Sequence, residues 1–413
     1  MQNGTKGGRN SMGHELNRNI VLSTNESLVL GSLLNGEALT RAQICARTGL
    51  SRPTVLEVLA AMSHDRLTSV HIPALGGNGR SPEFISLDPT RVVGFAADVG
   101  GSKVVAALVD FTGRVLAEHV VKTGAHAVSV AEQLGELRKV LAAEAGVSLR
   151  SLSTAVVGLP GVIGEDGHIT HGENIKGLDA HDMRVLLRQH LKCPVRIEND
   201  VNLAGLGELD CIADDVNGTF VLISLGTGLG MAILHEGHVI RGAHGRAGEI
   251  AFLPLFNNRD NPDARIHGSS ELMTSGPALE RRYMERLGTA RSEVSAASIL
   301  ELSSRGDSIS SEVVSEFAAD LSRVIVSVVT VLDPTRVVLA GGLGANPLLL
   351  QPVLAALDGL TPFAIDVRTS ELGNRSGICG ALALARDEVR RILTGKVIND
   401  AGVPLREKIR GAI

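Results

Sequence analysis

The sequence predicts an α/β chain of two similar halves behind a small α+β head. Three observations predict it. From Arg91 onward, strand-like runs alternate with helical ones. A strand, glycine-rich turn and strand occur together twice, around Asp98 and again after Thr219. Three short helical patterns and a two-stranded wing precede both. At 413 residues the chain is too long for one ordinary domain. We divide it into a tail (1–19), a winged helix-turn-helix head (20–89), a first lobe (90–210), a second lobe whose last helix packs back (211–395), and a tail (396–413).

Residues 1–19 are polar and rich in Gly and Asn, the composition of a flexible tail. Three helices are predicted next. The first spans 25–34 with Leu28, Leu30 and Leu33 inward; the second spans 40–47 with Ile44 inward. The third spans 51–62, capped by Ser51, with Pro53 in its first turn and Val55, Leu59 and Met62 at helical spacing. Thr48-Gly49-Leu50 is the short turn of a helix-turn-helix. Strands at 71–73 and 84–87 then flank the Gly-rich tip 76–82 as a wing.

In the body, strands are expected at 92–98, 103–110 and 115–121, followed by a helix over 129–143. Further strands fall at 154–158 and 195–198, with a helix at 203–209. A second series opens at Thr219 and ends with strands at 336–340 and 364–369. The repeated opening suggests an internal duplication.

Composition narrows the function classes. Hydrophobic residues make up 44% and charged residues 21% of the chain, as in a globular protein with a sizeable core. Aromatics at 2% argue against stacking on single-stranded nucleic acid. A net charge of −5 supplies no global basic field, so any DNA contact must be local. Cys45, Cys193, Cys211 and Cys379 form no CxxC pair, which speaks against disulfide frameworks and compact zinc sites and fits a reducing cytoplasm. Neither a signal peptide nor a membrane span is read from the sequence, and 324–332, its most apolar run, is too short to cross a bilayer.

Several turns have the composition for chemistry. In Asp98-Val99-Gly100-Gly101-Ser102-Lys103, glycines let backbone N–H groups face a phosphate, and Ser102 and Lys103 add donors; an ordinary hairpin accounts for the same residues. Gly226-Thr227-Gly228 repeats the idea in the second half, where a strand rather than a helix follows, which disfavours a Rossmann site. Gly341 and Gly342 either let a nucleotide approach the backbone or form a packed strand-to-helix turn. Asp200, at a strand's C-terminal end, is placed to act as general base toward a sugar hydroxyl with Asn199 orienting it; helix capping is the alternative. Glu249 and Glu271 are placed as acceptors for hydroxyls or as solvated acids, and the histidines read as surface residues.

In the head, Ser51, Arg52, Thr54 and Glu57 on the third helix are the expected DNA-facing residues, with Arg80 at the wing tip. Basic residues there (Lys6, Arg9, Arg18, Arg41, Arg47, Arg52, Arg66, Arg80) are nearly balanced by acids (Glu15, Glu26, Glu37, Glu57, Asp65, Glu83, Asp88). A helical dimerisation module is the competing reading.

Taken in order, DVGGSK, LPGVI, ENDVN…GE, SLGTGLGMAI, RGAHGRAGEI, LDPTRVVLAGGL and LGNRSGICGALALA resemble the ROK family (repressor, open reading frame, kinase) from about Ile20 to Glu388. TRAQICARTGLSRPTVLEVLAAM and GGNGRSPEF resemble the DNA-binding half of the family's repressors. The resemblance implies two ribonuclease-H-like lobes of the actin and hexokinase type, with sugar and ATP between them. By motif position it makes Asp200 the kinase base, Asn199, Glu249 and Glu271 sugar-binding residues, and Asp98, Gly100, Gly101 and Gly226 to Gly228 phosphate loops.

The departures matter as much. Where the family has Gly-His after its GE motif, a His tied to zinc and sugar, this chain reads Ala251-Phe252, and the Cys-rich zinc run is replaced by residues 261–271 without cysteine. Zinc is therefore not expected, and the loop bearing Glu271 must be ordered differently or stay mobile. The resulting expectation is a cytoplasmic, bacterial-type transcriptional regulator, a repressor of carbohydrate metabolism. It would bind double-stranded operator DNA and a sugar or sugar phosphate as a homodimer or homotetramer, with no membrane partner and no required cofactor. The alternative is a glucokinase-like enzyme using ATP and Mg, with a regulatory head.

Overall fold

The computed structural model describes residues 23–64, 67–72, 82–164, 167–170, 175–212, 218–258, 260–288 and 294–394. Both predicted tails and most of the wing tip, Arg80 included, lie outside the described residues.

The head holds α1 (Thr24–Leu33), β1 (Leu39–Thr40), α2 (Arg41–Thr48), α3 (Arg52–His64), β2 (Thr68–His71) and β3 (Phe84–Leu87). Its helix starts follow from capping. The Ser23 and Thr40 side chains each take part in a reciprocal capping box, with Glu26 and Gln43, and Gly49 ends α2 in the left-handed conformation. Ser51 precedes α3, its Oγ 2.8 Å from Thr54 Oγ1. Strand β2 begins three residues before the predicted 71, because Thr68 to His71 pair with Leu87 to Phe84. The described part of the head is thus three helices beside a three-stranded sheet of order β1-β3-β2.

The body begins with β4 (Val93–Val99), β5 (Lys103–Val109), β6 (Val115–Lys122), α4 (Ala127–Glu144) and β7 (Leu152–Leu159). A small hairpin, β8 (Val162–Ile163) with β9 (Ile169–Thr170), precedes α5 (Met183–Leu191), β10 (Val195–Asn199) and α6 (Asp200–Cys211). The second series is β11 (Thr219–Leu225), β12 (Leu229–His235), β13 (His238–Val239), α7 (Asp263–Ile266), α8 (Glu271–Thr274), α9 (Gly276–Leu287), α10 (Ala296–Ser304) and α11 (Ser308–Leu332). It continues through β14 (Arg336–Ala340), α12 (Gly341–Gly344), α13 (Pro347–Asp358), β15 (Val367–Thr369) and α14 (Ser376–Leu393).

The two sheets have the orders β6-β5-β4-β7-β10 and β13-β12-β11-β14-β15. In each, three antiparallel strands are followed by two parallel ones. The duplication inferred from the repeated glycine turn is thus a duplication of topology. One side of the first sheet closes over α4 and α5 in a core that includes Phe95, Leu134, Leu141 and Leu187.

The other sides of the two sheets are joined by an exchange. Helix α6 follows the first sheet yet buries Leu206 and Leu209 against Leu222 and Leu234 of the second. Helix α14 follows the second sheet yet buries Ile378, Ala381 and Ala385 against Ala96, Val105 and Val156 of the first. The helices cross backbone to backbone, with Gly207 against Ser376 O and Gly380 against Leu203 O, where any Cβ would collide. Glu208, buried at the crossing, accepts from Ser376 Oγ at 2.7 Å, from the Ser370 hydroxyl, and from the amides of Glu371 and Leu372 at 3.2 and 3.3 Å.

The far end of α14 belongs to the head. Val389 and Leu393 share a core with Val29, Leu30, Leu33, Ile44, Leu59 and Ile85, joined by Phe111 from the β5–β6 turn. Arg390 Nε donates to Phe111 O at 2.6 Å, and Ser27 Oγ donates to Thr394 O at 3.3 Å. Truncating Leu393 leaves a cavity in this shared core. Leu393→Ala should therefore cost on the order of 2–4 kcal/mol in urea unfolding followed by circular dichroism. An unchanged midpoint would mean that the head's core closes without α14.

Candidate functional site

The candidate site is built where strands end. Asp98 lies near the C-terminal end of β4 and Asp200 opens α6 just beyond the end of the neighbouring parallel pair β7–β10. Asn199 serves as N-cap of α6: its Oδ1 accepts from Asn202 N at 3.0 Å and its Nδ2 donates to Gly161 O at 3.0 Å. The capping alternative therefore holds for Asn199. Asp200 instead accepts the Val201 amide at 2.9 Å with Oδ1 and shares the electrostatic field of two further acids, Asp98 and Glu249.

The two aspartates are held in an unusual state. Burial, with Lys103 nearby acting in the opposite direction, raises Asp98 to about 6. Burial and then the negative charge of Asp98 raise Asp200 to about 7, with Glu249 adding to the effect and backbone hydrogen bonds opposing it. Asp98 also meets the N-terminal turn of α14. Its carboxylate lies so close to Gly377 that a Cβ there would overlap it. Sequence reasoning missed this contact, although the run of small residues Ser376-Gly377 after a strand signals a close approach.

The first predicted phosphate turn is a hairpin tip. Gly100 N donates to Lys103 O at 2.9 Å, Thr123 Oγ1 donates to Gly100 O at 2.6 Å, and Gly101, Ser102 and Lys103 are exposed. In the second, Gly226 N donates to Gly228 O at 3.0 Å and Thr227 is exposed. This turn is joined by Glu271, whose Oε2 accepts the Leu229 amide at 2.9 Å beside Gly228. His267 Nδ1 stands 4.0 Å from Glu271 Oε1. Gly341, with φ of 81°, is pressed on Leu225 O and starts α12, so it is the packed strand-to-helix turn; the Cβ direction of Gly342 is open.

The loop bearing Glu271 is ordered by neutral hydrogen bonds. Asn258 Nδ2 donates to Ser269 O at 3.0 Å and Ser269 Oγ returns a bond to Asn258 Oδ1 at 2.6 Å. Ser270, fully buried, donates from N to Ala251 O at 2.9 Å and from Oγ to Leu253 O at 2.8 Å. Among the described residues no group of three His, Cys, Asp or Glu stands together to hold a metal ion. No helix among them is long and apolar enough to cross a membrane.

Glu249 is exposed and ends the segment 240–249, which lies against both halves of the body. Gly245, with φ of 73°, packs on Ile163 O of the first series, and Gly248 packs on Met231 O of the second. In the head, Ser51, Arg52 and Glu57 are exposed and Thr54 is half-buried, so the predicted reading face is open.

Two lobes of this topology with acids and glycine turns between them define a hexokinase-type fold. The chain belongs to the ROK family, whose model matches residues 95–388. A β-glucoside kinase of Listeria monocytogenes is 27% identical over 292 residues, 70% of this chain and 95% of that protein. The xylose repressor of Bacillus subtilis is 20% identical over 380 residues, 91% of this chain and 98% of that repressor. A solved ROK family transcriptional regulator, a homolog of the E. coli MLC protein, superposes with a TM-score of 0.70 over 90% of this chain and 97% of its own, at 18% identity.

The raised carboxylates give a pH prediction. A carboxylate raised from 3.8 to about 7 binds its proton more tightly folded than unfolded, so it removes stability progressively as pH rises from about 4 to about 7. Asp200→Asn does not titrate. It should melt a few degrees above the wild type at pH 8, and the difference should vanish near pH 4. A pH-independent difference would contradict the field described for this cleft.

Proposed function

We propose that this protein is a DNA-binding transcriptional regulator of carbohydrate metabolism, acting as a repressor, that senses a sugar or sugar phosphate between its lobes. The observation that carries the reading is the head. It presents Ser51, Arg52 and Glu57 to solvent on α3 while its hydrophobic core is completed by Val389, Leu393 and Phe111 of the body. A kinase has no need of such a unit. Similarity to a repressor over 91% of the chain, head included, supports it.

In this reading Asn199, Asp200, Glu249 and Glu271 line the ligand site, and the carboxylates accept from ligand hydroxyls. The ligand shifts the two lobes only if it binds one arrangement better than the other. Paired half-sites on double-stranded DNA call for a homodimer or homotetramer, so lobe movement would change the spacing of the reading heads. We also propose the domain division given above, with α14 counted in the second lobe though it packs on the first.

The second reading, an ATP-dependent sugar kinase, is favoured by one observation: Asp200, raised to about 7, is poised as a general base. Asp98 with the Gly100–Lys103 turn would hold Mg and phosphate, and bound Mg-ATP would supply the transferable phosphoryl group. Against it, the Leu229 amide beside the second glycine turn already donates to Glu271 and is not open to a phosphate.

Two measurements separate the readings. Arg52→Ala should weaken binding to a selected duplex about tenfold or more without lowering the melting temperature; unaltered binding would remove α3 as the reading helix. A coupled ATP-turnover assay over a sugar panel should give no signal. Turnover that Asp200→Asn abolishes would establish the kinase instead.

A further inference from the structure

Away from the acids of the cleft, a row of alternating charges runs from the segment that bears Glu249 to the base of the head. Arg241 opens that segment and reaches across to Glu198 of β10. Glu198 also faces Arg196, Oε2 to Nη2 at 3.7 Å; Arg196 Nη1 is 3.4 Å from Glu388 Oε1, which is 3.3 Å from Arg391 Nη2. Arg196 and Glu198 are two residues apart on an edge strand, hence on one face, while Val195 and Ile197 enter the opposite core. Glu388 and Arg391 lie one helical turn apart on α14, flanking Val389, which is part of the head's core.

Burial makes the row sensitive. The side chains of Glu198 and Glu388 are 3% and 7% exposed, and a buried carboxylate that loses its cation is costly. Arg196 is shared by both. Withdrawing Arg241 leaves Arg196 as the cation beside Glu198, an attraction that draws it toward Glu198 and away from Glu388, at the helix turn that closes the head. Glu198 in addition accepts from Asn199 N at 3.2 Å and from Asn202 Nδ2 at 3.0 Å, so the same change reaches the segment that carries Asp200.

We propose that Arg241 is a positioning residue for both the 199–202 segment and the head, acting through the ion-pair row Arg241–Glu198–Arg196–Glu388–Arg391. Any movement that draws the segment 240–249 away from β10 acts as the loss of Arg241 does. This deepens the regulator reading by naming a route from cleft to head, yet its test needs neither ligand nor DNA, so the two can fail separately.

The test is amide hydrogen exchange on the full chain. In Arg241→Ala, amides of residues 200–204, of the last two turns of α14 and of α1 should exchange about tenfold faster than in the wild type. Arg241→Lys, which keeps the charge, should restore most of the protection. Glu388→Gln should loosen α1 alike, and Arg375→Ala, which removes the separate exposed pair with Glu118, should leave α1 unchanged. Faster exchange confined to 240–249 in Arg241→Ala, or α1 responding equally to Arg375→Ala, would overturn the proposal.

Discussion

The crossing of α6 and α14 is the constraint on which the rest of the molecule depends. At Gly207 and Gly380 each helix lies on the other's backbone, a distance that a single methyl group would prevent. Because each helix packs on the sheet of the opposite half, this one contact fixes how the two sheets face each other. Buried Glu208 adds a polar lock, giving partners to amides and hydroxyls that burial would otherwise strand. A larger residue at either glycine would separate the lobes and open the cleft between them.

From that crossing, α14 extends in both functional directions. Its first turn meets Asp98 through Gly377, and its last turns complete the core of the head, about 27 Å away for a helix of 18 residues. Asp98 and the head therefore rest against the two ends of one rigid helix. A head on a flexible linker would move independently of the body; this one shares side-chain packing with α14 and the β5–β6 turn.

Much of the fold was legible in the sequence because periodicity and glycine turns are local. Strand 336–340 lies where it was expected, the helix turns carry the caps Thr40 and Ser51, and both glycine hairpins stand at strand ends. Strand β2 was misplaced toward His71 because its pairing partner, β3, sets its start. The residues of the candidate site could be named singly from the sequence, but their contacts could not. Nothing local to Glu271 says that it takes the Leu229 amide, or that Asp98 raises Asp200, since those pairs are far apart in the chain. The loop without cysteines shows the same limit. Its order comes from Asn258, Ser269 and Ser270, polar residues that in sequence look like any surface loop.

In the regulator reading proposed above, occupancy of the cleft changes how the head meets DNA. The direct measurement is the affinity of the full chain for a duplex selected from a random pool, at constant salt. It is taken with and without each sugar or sugar phosphate that raises the melting temperature. The account predicts a change of about tenfold or more on saturating the cleft, the size of an ordinary allosteric coupling. An affinity that stays constant while a bound sugar stabilises the protein would contradict it.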